Sequence, residues 1–190
     1  DLTFFCEVLG NEFVLYDEEN LQAHSHDETE DLRYLPEVVL RPETPEQISQ
    51  ILKHCNLRGI PVTTRGGGTG LSGGALPIHG GVVVSMSRFN RILEIDERNL
   101  QATVEPGVIT QVFQEAVIEK GLFYPPDPSS RGTCFIGGNL AHCSGGPRAV
   151  KYGVTRDYVL DLEVVLASGD IIRTGAKVLK NSTGYNLTQL

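Results

Sequence analysis

The hydrophobic pattern is sharpest between residues 37 and 64. Glu37-Val38-Val39-Leu40-Arg41 is a short apolar run with the composition of a strand. Thr44-Pro45-Glu46-Gln47 follows: a capping threonine, a proline at the first helical position and a glutamine three residues after the cap. Ile48, Ile51, Leu52 and Cys55 then recur at helical spacing, and Gly59 stands where a helix end takes a left-handed residue. Ile60-Pro61-Val62-Thr63-Thr64 is the next strand, so the segment predicts a β-α-β unit with parallel strands.

Farther on, strands are predicted at Val82–Met86, Ile92–Asp96 and Gln101–Glu105, with a turn at Glu97-Arg98-Asn99. Thr110 is the expected cap of a second helix running to Lys120, its buried side formed by Val112, Phe113, Ala116 and Val117, with Gly121 ending it. Residues 124–147, rich in Pro, Gly and Ser, read as a long loop without a strong helix. Leu162–Leu166 and Ile171–Arg173 form a hairpin about Ser168-Gly169-Asp170. Residues 1–35 are acidic and weakly patterned. Phe4, Phe5, Val8 and Leu9 share one short helical face, and the four acids of Asp27–Asp31 suggest a solvated loop. The fold class expected is α+β. Residues 1–35 are an N-terminal extension, 36–88 a β-α-β lobe, and 89–190 a second, incomplete lobe with mixed or antiparallel strands.

Composition narrows the function. The chain has 190 residues, 40% of them hydrophobic, and a formal net charge of -8. That much hydrophobic sequence supports a proper core, while the negative balance excludes charge-driven binding to nucleic acid. No apolar run reaches a membrane-spanning length of about 18 residues, and the N-terminus has no basic-then-apolar signal segment. Cys6, Cys55, Cys134 and Cys143 form no CxxC pair, so reduced thiols in a cytoplasmic protein are expected, with no metal site.

The chemistry lies in the glycines. Residues 65–74 read RGGGTGLSGG. Gly68–Gly73 matches the letters GxGxxG, but no helix is predicted after it and no acidic strand end follows at the dinucleotide spacing, so a Rossmann site is excluded. A P-loop is excluded because no Lys-Ser or Lys-Thr follows a glycine. Consecutive glycines still let backbone N–H groups converge on an anion. Thr69 and Ser72 add hydroxyls, and Arg65 adds charge at the rim. Gly137-Gly138-Asn139 and Ser144-Gly145-Gly146 form a second patch, suiting an elongated ligand approached by backbone at two places.

In order, PVTTRGGGTGLSGG, YPPDPSS, IGGNLAHCSGGPRAVKYGVTRDYVL and STGYNLTQL resemble the FAD-linked oxidase family, which has the vanillyl-alcohol-oxidase or PCMH-type flavin fold. Within it the chain is most similar to D-2-hydroxy-acid dehydrogenases, of the type of the flavin-carrying glycolate oxidase component and D-lactate dehydrogenase, from about Pro36 to Leu190. The resemblance implies FAD between two α+β lobes. It implies that Gly66, Gly67, Gly68, Thr69, Gly70 and Ser72 hold the pyrophosphate, with Arg65 at the rim counted as cofactor-binding, and that Pro126, Asp127 and Ser129 line the flavin region. It further implies that Gly137, Gly138, Asn139, Ala141, Ser144, Gly145 and Gly146 wrap the cofactor, with Tyr152 and Gly153 close by.

Thr69 stands where some relatives carry a histidine that tethers the flavin, so noncovalent FAD is implied. The expected reaction is oxidation of a small 2-hydroxy acid, with partner subunits for electron transfer. His142-Cys143 replaces a common Glu-Asn pair, and His142 is read as structural or solvent-facing rather than as a base. The family continues past GYNLTQL into the remainder of the FAD domain and a substrate-binding cap, so the chain reads as the N-terminal part of a longer enzyme. The base and the substrate-binding arginine are expected beyond it. Two alternatives stand beside this reading. One is a nicotinamide-dependent reductase of the same fold, whose loop usually carries Ser-Asn after the glycines. The other is a non-catalytic assembly subunit, which need not keep intact glycine patches.

Overall fold

The computed structural model describes residues 1–189. In chain order the regular elements are Leu2–Leu9 (α1), Val14–Leu15 (β1), Glu18–Ala23 (α2), Val38–Leu40 (β2), Pro45–Arg58 (α3), Val62–Arg65 (β3) and Val82–Ser85 (β4). Then come Ile92–Asp96 (β5), Gln101–Val104 (β6), Thr110–Ile118 (α4), Ile136–His142 (α5), Ala149–Tyr152 (α6), Glu163–Val165 (β7) and Ile171–Arg173 (β8).

The first sheet has the order β1-β2-β4-β3, with β2, β4 and β3 parallel and β1 antiparallel at the edge. The two strands of the β-α-β unit therefore run parallel but are not neighbours, because β4 inserts between them. Val38 and Leu40 meet Val82 and Val84 in one core with Ile51 and Cys55 of α3. Val39 and Val83 point to the opposite face and are also fully buried. Burial on both faces explains why these strands are continuous valine runs rather than alternating ones. Helix α3 starts as its sequence dictates. The Thr44 side chain accepts from Gln47 N, the Gln47 side chain reaches back to Thr44 N, and Gly59 closes the helix in the left-handed region at φ 65°.

Four sequence expectations need correction. Residues 1–35 are part of the first lobe, since Phe5, Leu9 and Val14 join its core and β1 joins its sheet. Asp27, expected in solvent, is only 6% exposed. Thr110 does not cap α4. Ile109 holds the cap position, and the Thr110 hydroxyl is buried against Cys134 and Asn139. The Pro-Gly-Ser region 124–147 does contain a helix, α5, with two glycines in its first turn. Glycine propensity argues against such a helix, but packing of Ile136 beside Val108 and Phe113 outweighs it.

Beyond β4 the strands form two separate antiparallel hairpins, β5-β6 and β7-β8. The second hairpin packs on α3 of the first lobe, where the Ser49 hydroxyl donates to Gly169 O at 2.5 Å. Phe113 and Val117 of helix α4 make a second, smaller core with Val108 and Ile136.

Candidate functional site

The glycine loop leaves the carboxyl end of β3, the end at which open parallel sheets place their ligands. No helix forms between Gly66 and Gly81, so the GxGxxG letters are not a dinucleotide turn. Arg65, the last residue of β3, pairs in register with Ser85, and its side chain runs inward. The sequence suggests a place at the rim. Instead Arg65 is 8% exposed, and Nη1 is buried with no hydrogen-bond acceptor among the described residues. Gly68, at φ 69°, lies directly over the guanidinium, so a methyl group there would overlap Nη2. Burial lowers the affinity of Arg65 for its proton, and the negative charge of Asp27 opposes that shift.

Arg65 faces a cavity of about 340 Å³. Its walls are Gly66, Gly67 and Phe135 on one side, Arg41, Ser85 and Ser87 on another, and Leu15, Asn20, Ala23 and His24 on the third. Arg41 Nε donates to Ser87 Oγ at 3.1 Å. His24 Nδ1 lies 2.8 Å from Asn20 O, an arrangement that fits a proton on that nitrogen and leaves Nε2 free. Burial, with added repulsion from Arg65 and Arg41, pushes the His24 pKa down, which favours the neutral ring. The cavity therefore holds two guanidinium charges with no carboxylate in its wall.

Sequence reasoning missed Arg41, Ser85, Ser87, Asn20 and His24. A signal existed for three of them: Arg41 follows β2, Ser85 ends β4 and Ser87 lies two residues beyond. All three therefore sit at the same carboxyl edge as the glycine loop. Nothing in the sequence pointed to Asn20 and His24.

The second glycine patch meets the first. A methyl group at Gly66 would lie 3.7 Å from Phe135 Cβ and 3.8 Å from Gly138 N. Gly138 itself has open space where a side chain would stand. Other predicted site residues lie in close contact with other parts of the chain. At Gly67 a methyl group would be 2.5 Å from Thr133 O, and at Gly137 2.7 Å from Pro106 Cβ. Gly146, at φ 106°, lies against the Asp127 carbonyl, and Gly145 O accepts from Asp127 N at 3.2 Å. Asn139 is 2% exposed, and its amide donates to Thr110 Oγ1 at 2.5 Å, tying α5 to α4. Ser144 O accepts from Thr155 Oγ1 at 2.6 Å.

Pro126 is buried and its carbonyl accepts from Gln114 Nε2 at 2.7 Å. Asp127 is 7% exposed and paired with Arg131 at 2.7 Å and Arg148 at 3.3 Å. The Arg131 hydrogen bond, aided by the positive charges nearby, holds the Asp127 carboxyl below the usual range. Ser129 and Ala141 are exposed, as is Ser72, and Thr69 and Gly70 are half-buried beside the loop. Tyr152 packs edge-on against Phe123, with ring centroids 5.5 Å apart, and Gly153 ends α6 at φ 87°. His142 is exposed, with its Nε2 3.3 Å from a methyl position at Gly74, so it covers the back of the glycine loop.

These residues fit the diphosphate of a dinucleotide such as FAD. A buried guanidinium lacks an acceptor, a second arginine shares its cavity, and the backbone at Gly66 and Gly138 is open to approach. Among the described residues no group of three His, Cys, Asp or Glu side chains converges as a metal site.

Comparison with known proteins agrees with this geometry. The glycolate oxidase subunit GlcD of Bacillus subtilis is 54% identical over 168 residues, which is 88% of this chain and 36% of that protein. The D-lactate dehydrogenase of Archaeoglobus fulgidus is 47% identical over 80% of the chain and 34% of its own length. Among solved structures, p-cresol methylhydroxylase with substrate bound superposes with a TM-score of 0.79. It is 28% identical to the chain, covering 100% of it and 37% of the methylhydroxylase. The chain thus spans little more than a third of these relatives. Residues 36–175 match the FAD binding domain family, and the chain belongs to that family of PCMH-type flavin-binding folds.

Proposed function

We propose that this chain is the FAD-holding part of an oxidoreductase that converts a D-2-hydroxy acid, of the glycolate or D-lactate type, to the 2-keto acid. The observation that carries the cofactor half is Arg65: a guanidinium nine-tenths buried, with Nη1 unpaired among the described residues, beneath a glycine loop. A buried guanidinium that Asp27 offsets only through space, with no acceptor at Nη1 among the described residues, is costly, so this site calls for an anion. The substrate half rests on the relatives, whose names are those of a glycolate oxidase component, a D-lactate dehydrogenase and a D-2-hydroxyglutarate dehydrogenase.

In this reading Arg65 and Arg41 neutralise the pyrophosphate, and the backbone about Gly66 and Gly138 approaches it closely. Ser85 and Ser87 offer hydroxyls at the strand ends. Pro126 and Asp127, fixed by Gln114, Arg131 and Arg148, shape the flavin side. Thr69, in place of a tethering histidine, supports noncovalent binding. The chemistry the flavin supplies is hydride acceptance: the substrate's α-hydrogen leaves with its electron pair, the hydroxyl proton goes to a base, and a 2-keto acid remains. The likeness to a protein named as a glycolate oxidase subunit supports partner subunits as the electron acceptors. Four unpaired cysteines support a cytoplasmic setting. No helix among the described residues is long and apolar enough to cross a membrane.

The test is a visible spectrum of the full-length protein after addition of FAD, followed by anaerobic D-lactate and glycolate. Retained flavin bands that bleach with either acid are expected. Failure to retain FAD overturns the reading, and retained but unbleached flavin overturns its substrate half.

A further inference from the structure

The glycine loop has few ties to the rest of the protein. Among the described residues, two hydrogen bonds connect residues 67–75 to a distant part of the chain, and both come from one segment. Glu28 N donates to Gly70 O at 3.1 Å, and Gly73 N donates to Thr29 Oγ1 at 2.8 Å. That segment is itself braced. Thr29 N donates to Asp27 Oδ1 at 2.9 Å, Tyr34 N to Ser25 O at 2.8 Å, and Ser25 Oγ to Gln22 O at 2.8 Å. Ser25 is fully buried and Asp27 is 6% exposed. The second Asp27 oxygen lies 3.8 Å from a methyl position at Gly70, has no partner of its own, and acts electrostatically on Arg65.

We infer that residues 25–29 are a strap that sets the shape of the glycine loop for its anion, with Thr29 as the positioning residue. The segment lies outside the residues matched by the FAD binding domain family, and the sequence alone marks it only as acidic. Its chemistry suits the task. A glycine-rich stretch loses more conformational freedom on ordering than any other. A protein that orders it beforehand removes that cost from ligand binding. The strap grips the loop at a carbonyl and at an N–H three residues apart, fixing both ends of the Gly70–Gly73 turn. The Asp27 carboxylate meanwhile gives the buried Arg65 charge some compensation before a ligand arrives.

The inference rests on the FAD reading of the site, and its test separates the two. Full-length wild type, Thr29→Val and Thr29→Ser are compared by amide hydrogen exchange over residues 67–75 without FAD, and by FAD titration. Valine keeps the shape and removes the acceptor; serine keeps the acceptor. Thr29→Val is expected to speed exchange of the loop severalfold and to weaken FAD binding about fivefold, within the range of one lost hydrogen bond. Thr29→Ser is expected to restore both. Unchanged loop exchange in Thr29→Val, or unchanged affinity while wild type binds FAD, overturns the strap and leaves the site reading intact. Wild type that takes up no FAD overturns both.

Discussion

Between Arg65 and Gly74 the chain has six glycines, and between Gly137 and Gly146 it has four. A methyl group tried at each position meets different surroundings. In the first run Gly66 and Gly70 have neighbours no nearer than 3.7 Å, and Gly68 is closed by the Arg65 side chain rather than by backbone. In the second run Gly137 and Gly146 are closed by the backbone or ring atoms of Pro106 and Asp127, and only Gly138 is open. The first cluster keeps its backbone available at Gly66 and Gly70 and is closed by backbone at Gly67 alone, whereas the second is open only at Gly138 and mostly lets chain segments touch one another. Two stretches of similar composition thus meet different surroundings, and Gly138 is the one open position of the second.

Substitutions can break this comparison or sharpen it. Gly146→Ala is expected to have the largest effect. Its φ of 106° is strained for alanine and its methyl group overlaps the Asp127 carbonyl, so urea unfolding should show a loss of about 3 kcal/mol or more. A mild result there would mean that the second cluster is not packed as described. Arg65→Met comes next. It removes a buried charge, so stability should hold or rise, while the FAD dissociation constant rises about thirtyfold for a lost charge-assisted bond. Destabilisation with unchanged affinity would make Arg65 a structural residue.

Gly138→Ala should leave the fold intact and raise helix stability by up to about 1 kcal/mol, yet weaken FAD about tenfold by filling the open face. The smallest effect is expected at Asp127→Asn, a loss below about 1 kcal/mol because both arginine partners remain partly solvated. The Asp127 pKa is depressed by folding. Its contribution is therefore present above the unfolded value of about 3.9 and fades as pH falls through the lower folded value. The stability difference between wild type and Asp127→Asn should close on the acid side, as followed by urea melts from pH 6 to 2.

Much of the first lobe is legible in the sequence. Capping box, apolar stripe and terminal glycine locate α3 because each is a local signal, satisfied within one turn of helix. The family resemblance marks both glycine clusters. What stays hidden are contacts between segments far apart in the chain. Asp27 reads as one of four acids within five residues, yet it is buried because the chain after α2 folds back over the glycine loop. Helix α5 forms despite its glycines because Ile136 has a core to enter. Arg65 turns inward because strand alternation and its register opposite Ser85 put it on the buried face of the sheet that Val39 and Val83 share.

The sequence by itself determined the local elements: strands from runs of valine, a helix from a cap and a stripe, loops from proline and glycine. It also marked a glycine-rich backbone of the kind that suits an anion. Only the tertiary structure decided which glycines keep an open face, which arginine is buried without a hydrogen-bond partner among the described residues, and that residues 25–29 hold the loop. Those properties depend on distances between residues tens of positions apart, and such distances are set by packing rather than by local preference.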